Sequence, residues 1–425
     1  MTYVKLVLKK VSPQQMFMIS AILVNGGNYL YNLLLGRILG PGAFADAALL
    51  VTLLLVLSFI GMTFQLATTK FAVVYSGDVW IAFKNTMYRY AAFFGITVGV
   101  LIILFSSQLQ DIFQTLSSLI FVLFGLAVPL YFLMSVNRGR FQGRQEFGKL
   151  AATYQTEMWS RLLLTFIALW LLPFESGIVI ALGIGLSFCF GLFPSGIKMA
   201  NFRSNFHLTS TQLREVWVFI GLTAGYELTQ IIINNSDILL VKHYFDNYKA
   251  GLYSSLALIG RVVYFVAWMF VMLLMPTVIQ KQKDGEPTKP VLLRYVLLIG
   301  ALSATIVIAC SLMPEFIITV MFGESYLPIS GLLWKYALAT SLFAVSNIFA
   351  YYFLSLNQYI PVMLSGVLGL SQVFLITFFH SDLAMVVHVQ ILAMLILLFA
   401  QILFFFASNK TSASRRDNDI NTKEV

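Results

Sequence analysis

Twelve apolar stretches, each about 20 to 30 residues long, run through this 425-residue chain with only short polar gaps between them. They cover 16–36, 46–69, 90–110, 114–136, 151–173, 176–197, 216–241, 250–279, 293–314, 328–355, 359–379 and 383–408. About 20 helical residues match the ~30 Å hydrocarbon core of a bilayer, where a backbone without water must bond to itself. The expectation is an all-α polytopic membrane protein with twelve transmembrane helices. Gaps of about 20 residues at most leave no room for a soluble catalytic domain.

The basic residues alternate. Lys5, Lys9 and Lys10 precede the first stretch, and every second gap repeats the enrichment. Those gaps hold Lys70, Lys84 and Arg89; Arg138, Arg140, Arg144 and Lys149; Lys198, Arg203 and Arg214; and Lys281, Lys283, Lys289 and Arg294. Lys410, Arg415, Arg416 and Lys423 close the chain, whereas the intervening gaps hold only Arg37, Lys242 and Lys249. Short loops rich in Lys and Arg stay cytoplasmic, so both termini are expected inside. The net charge of +9 is thus a topology signal, scattered over short loops with no basic stripe for nucleic acid. The polar tail 409–425 is expected to be disordered. Cys189 and Cys310 both fall within spans and are read as packing residues, not as a disulfide framework.

An even number of spans with both ends inside invites a six-plus-six division: a lobe at 1–205, a second at 206–408, and a central cavity between them. Weak internal echoes support it. Gly40-Pro41-Gly42-Ala43-Phe44-Ala45 lies about 206 residues before Asp246-Asn247-Tyr248-Lys249-Ala250-Gly251, and in that register Asn28 meets Asn234.

Asn28 with Leu35-Gly36-Arg37-Ile38-Leu39-Gly40-Pro41 resembles the opening of the bacterial oligosaccharide (polysaccharide) flippases. Arg138-Gly139-Arg140-Phe141-Gln142-Gly143-Arg144-Gln145-Glu146-Phe147 is similar to that family's basic G-x-x-Q-G-x-x-x-F loop. The run from Asn235-Ser236-Asp237 to Ala250-Gly251-Leu252 resembles the start of its second half. Ala45 departs from the family's usual Gly, which Gly251 keeps. The superfamily also holds multidrug and toxin extruders and lipid II flippases. The resemblance implies two six-helix lobes, alternating access and a lipid-linked oligosaccharide cargo.

Charges inside spans are the chemical signal, because each costs about 2.5–3.5 kcal/mol at mid-helix unless paired or wetted. The candidates are Glu157, Arg161, Glu227, Asp237, Arg261 and Lys335. Arg161 and Arg261 lie about 15 Å deep by helical rise, one in each lobe. Both could grip the phosphate of a lipid-linked sugar. Glu157 precedes Arg161 by four residues, so a simple intrahelical pair is an equal alternative. Arg261 could instead bridge to Glu227 or Asp237. Glu227, Gln230, Asn234 and Asp237 share one helical face, as do Asn25, Asn28 and Asn32. These faces could line a hydrophilic path and bind the substrate, with Glu227 and Asp237 as carboxylates for coupling to an Na+ or H+ gradient; the alternative is interhelical hydrogen bonding. Lys335 is expected to snorkel outward, and Pro129 and Pro276 to mark kinks.

Enzyme readings fare badly. His207, His243, His380 and His388 show no metal-ligand spacing, and no Walker A pattern occurs. No cofactor or metal is expected. The expected partners are a lipid-linked glycan, membrane lipid, and a polysaccharide polymerase or glycosyltransferases, with the chain itself monomeric. The competing reading is a cation-coupled multidrug antiporter of the same superfamily, which the midplane arginines disfavour.

Overall fold

The computed structural model describes residues 13–195, 208–356, 358 and 360–421. Its first element, α1 (Pro13–Val74), carries the first two apolar stretches as two arms of one helix. Only Gly40 leaves helical geometry, at φ 72° and ψ 171°. That left-handed φ suits glycine, and Pro41, which has no N–H to lose, starts the second arm with φ already set.

The chain continues through α2 (Gly77–Leu104), α3 (Ser106–Phe113), α4 (Leu119–Gly143), α5 (Phe147–Leu171) and α6 (Ser176–Gly191). Then follow α7 (Ser210–Tyr244), α8 (Asn247–Lys283), α9 (Lys289–Leu312) and α10 (Pro314–Met321). A 3-10 segment (Glu324–Leu332) leads into α11 (Leu333–Ser355), α12 (Ile360–Phe378) and α13 (Leu383–Asn421). Each remaining apolar stretch overlays one of α2, α4 to α9 and α11 to α13. Among the described residues, seven helices are long and apolar enough to cross a membrane, by length and composition.

The outward faces carry the signature of lipid. On α12, Met363, Val367, Phe374 and Phe378 are exposed at helical spacing. Trp170, at the end of α5, is 84 % exposed. In water such faces would be large apolar patches of the kind that soluble monomers avoid. This is a multi-pass membrane protein.

The helices group into two compact units, one of 1–231 with 246–251, the other of 232–245 with 252–425. The sequence places the divide in the basic loop near 205, yet the first part of α7 belongs with the first unit. Aromatic contacts explain this: Phe219 stands edge-on to Phe71 at 6.1 Å, Trp217 lies 5.1 Å from Tyr90, and Lys70 sits 4.3 Å over the Phe219 ring. Tyr75 donates to Glu215 at 3.4 Å; burial, reinforced by that carboxylate, raises its phenol pKa and keeps it a donor. Gly251 also joins the first unit, because its Cα lies against the Pro41 carbonyl where no Cβ would fit. The two segments that echo each other in sequence therefore touch, and the glycine is kept at the position where contact demands it.

The second unit has its own core, in which Val263, Leu274, Leu292, Ile299, Ile348 and Phe353 are buried together. Helix α13 is continuous through the last apolar stretch. Two expectations change. Cys189 lies on an exposed face of α6, whereas Cys310 is buried as expected. Finally, α4 extends seven residues past the apolar stretch that ends at 136, so Arg138 belongs to a helix and not to a loop.

Candidate functional site

In the first unit the site is built where α4 and α5 meet α1. Gly139 and Gly143, one helical turn apart, face α1 so closely that a Cβ would strike the carbonyl oxygens of Gln65 and Thr69. The basic motif noted in the sequence is thus a small-residue contact between helices. Gln65 donates to Gln142 at 2.9 Å across this seam. The close approach carries the neighbouring Arg138 into the unit.

Arg138, Glu157 and Arg161 are 3 %, 7 % and 5 % exposed, so their charges are almost wholly desolvated. Glu157 is shared: Arg138 Nη2 donates to its Oε2 at 2.6 Å, and Arg161 Nη1 to its Oε1 at 3.1 Å. Arg138 also bonds Thr153 Oγ1 at 3.0 Å and lies 3.8 Å over the Tyr154 ring. Arg161 Nη2 donates to Asn28 Oδ1 of α1, and its guanidinium lies 5.5 Å from the Tyr31 ring. Two cations on one anion leave the cluster with a formal excess of one positive charge. The intrahelical pair anticipated for Arg161 is present, and so is a contact to the α1 asparagine face. Asn32 Nδ2 donates to the Asn28 backbone oxygen at 2.8 Å. Asn25 is exposed, and Gly27 lies against Met158, which leaves no space for a Cβ.

The second unit handles charge differently. Asp237, on α7, is 2 % exposed and accepts from Tyr336 Oη at 2.8 Å and Tyr253 Oη at 3.1 Å. Tyr253 Oη also lies 2.9 Å from Gln390 Oε1, so its single proton is contested. Asp237 Oδ1 is buried and has no hydrogen-bond partner among the described residues. Beside it is a cavity of about 40 Å³, polar along Asn234, Tyr336, Thr340, Gln372 and Gln390, and apolar along Phe343 and Met394. A water or a small cation fits such a space. At Asn234 and Asp237 the polar face of α7 meets this cavity, and the two phenols reach only one of the carboxylate oxygens.

The side chains of Glu227, Gln230 and Arg261 lie outside the described residues. Lys335 is half-buried and meets His388 Nε2 at 3.0 Å, so it has a partner in the fold as well as a route outward. Sequence reasoning missed Arg138, which was assigned to a loop. It also missed Tyr253, Tyr336, Gln372 and Gln390. The amides were visible as polar positions within apolar spans; the tyrosines gave no signal that separates them from core aromatics.

The arrangement of helices is shared with solved transporters. An inward-facing multidrug resistance MATE family transporter of the MOP superfamily superposes with a TM-score of 0.76 at 13% identity, over 91% of this chain and 96% of that one. The lipid II flippase MurJ, in an inward closed conformation, gives 0.71 at 13% identity, over 91% and 87%. A MOP superfamily transporter from Pyrococcus furiosus gives 0.54 at 12% identity, over 93% and 94%. Identities this low establish the fold alone. No curated protein matches the sequence. Residues 34–331, well over half of the chain, match the family described as polysaccharide biosynthesis protein, and the chain belongs to that family.

Proposed function

We propose that this protein flips a lipid-linked oligosaccharide, on a polyprenyl-phosphate-type carrier, across the bacterial cytoplasmic membrane by alternating access for cell-surface polysaccharide synthesis. The observation that carries the reading is the buried pair Arg138 and Arg161 sharing the single carboxylate of Glu157. Fixed positive excess in a low-dielectric layer favours an anionic head group and opposes the cationic cargo of a drug antiporter. Arg161, with Arg261, meets the phosphate; Asn25, Asn28, Asn32, Gln230 and Asn234 meet the sugars. Asp237, together with Glu227, takes the coupling Na+ or H+, and its orphaned oxygen beside a small polar cavity supports that role. The chain works as a monomer beside a polymerase or glycosyltransferases, with both termini in the cytoplasm.

Transport decides between cargoes. In cells that need this chain for glycan export, Arg161→Gln should abolish export and trap glycolipid on the inner face, while Arg161→Lys retains part of it. Unchanged export combined with lost resistance to cationic drugs would favour the antiporter instead. Orientation is read by cysteine labelling: Asn247→Cys should react from outside the intact cell and Asn409→Cys only after the membrane is opened. The reverse pattern would sink the topology.

A further inference from the structure

A second basic feature lies away from the buried triad. Trp80 and Lys84 of α2, Arg140 of α4, and Arg144, Glu146 and Lys149 around the start of α5 line a cleft of about 430 Å³. Among the described residues its lining holds four cations, Lys84, Arg140, Arg144 and Lys149, and one carboxylate, Glu146. The single acid is engaged, since Glu146 pairs with Lys149. Among the described residues the arginines are held by neutral groups: Arg140 by Ser195 Oγ at 2.6 Å and the Phe141 face at 4.7 Å, Arg144 by the Trp80 ring at 4.8 Å. Aromatic faces orient a guanidinium and leave its charge and most of its donors for a ligand.

The surroundings say what kind of ligand. The cleft residues lie in the gaps after the second and fourth apolar stretches, two gaps on the same side by the Lys and Arg pattern. Val73 and Val74, which end α1, and Ile81, next to Trp80 in α2, are exposed apolar residues of the same short stretch of chain. Trp80 is the residue type that settles at the head-group level of a bilayer. A cationic cleft carrying Trp80, on a stretch of chain with exposed apolar side chains, matches an anion that is itself anchored in lipid.

The geometry points to this cleft as a binding site for the phosphate or pyrophosphate head group of a lipid at the membrane surface. It needs the membrane topology but not the transport of any particular cargo. Two lipids share the chemistry, the anionic phospholipid of the bilayer and a polyprenyl pyrophosphate.

Equilibrium binding to the full-length protein in neutral detergent tests it, with short-chain phosphatidylglycerol, a polyprenyl pyrophosphate and, as control, phosphatidylcholine. Wild-type protein should bind both anionic probes, more weakly as salt is raised, and discriminate against phosphatidylcholine. Lys84→Gln/Arg144→Gln should weaken binding about tenfold or more, since each charge near the surface counts for about 1 kcal/mol. Glu146→Gln, which frees Lys149, should tighten it and serves if the double variant does not fold. Equal affinity for the two anionic lipids assigns the cleft to bulk phospholipid; preference for the pyrophosphate assigns it to the carrier. Phosphatidylcholine binding as tightly as the anions, wild-type affinity in a monodisperse double variant, or no tightening by Glu146→Gln would each overturn the site. None of these readouts requires export, so a failed cargo assignment leaves a distinct result.

Discussion

The two units bury charge by opposite means. In the first, Glu157 is flanked by two arginines, and the compensation is ionic and overdone. In the second, among the described residues, Asp237 is met by two phenols, so the compensation is by neutral dipoles and leaves one oxygen over. An ion pair fixes its own geometry because removing either member strands a charge. A carboxylate held by hydroxyls keeps capacity for one more ligand. The first arrangement suits a permanent field, the second a group that loads and unloads.

The sharpest way to break this comparison is at the shared anion. Glu157→Gln strands two buried cations and should cost about 3–5 kcal/mol, enough to lose the monodisperse peak in detergent gel filtration. Arg138→Gln leaves a matched Arg161–Glu157 pair and should cost about half as much, read as a lower thermal midpoint with the peak retained. Equal losses from the two substitutions would mean that the excess charge has no energetic meaning.

The second unit should respond more mildly. Tyr336→Phe removes one hydrogen bond to a carboxylate, about 1.5–2 kcal/mol by thermal melting. Asp237→Asn keeps an acceptor for both phenols and should cost about 1 kcal/mol or less. Its effect should appear in transport, as uptake into vesicles that no longer follows an imposed Na+ or H+ gradient. A collapse of Asp237→Asn as complete as that of Glu157→Gln would erase the distinction between the units.

Much of this was legible in the chain. Helical spans follow from runs of apolar residues long enough to cross hydrocarbon, and the i,i+4 spacing of Glu157 and Arg161 announced their pair. Arg138 was misread because a basic residue two positions past an apolar run looks like a loop residue. Its burial depends on Gly139 and Gly143 admitting α1, a contact between segments some seventy residues apart. Tyr253 and Tyr336 were illegible for a similar reason: a phenol in a span reads as core until a carboxylate is found opposite it. The bend in α1 was half legible, since Gly40-Pro41 signals a break but not that a single residue suffices.

By itself the sequence determined the helical class, the number and length of apolar stretches, and which helices carry charge. These depend on composition and on periodicity within one segment, where the physics is local: hydrocarbon thickness, helical rise and the cost of an unbonded backbone. Only the tertiary structure decided which charges share partners, that one Asp237 oxygen has no partner among the described residues, and that the first part of α7 belongs with the first unit. Those facts depend on side chains from distant segments meeting at hydrogen-bond distance, a selection made by how closely helix surfaces approach and invisible in any single stretch.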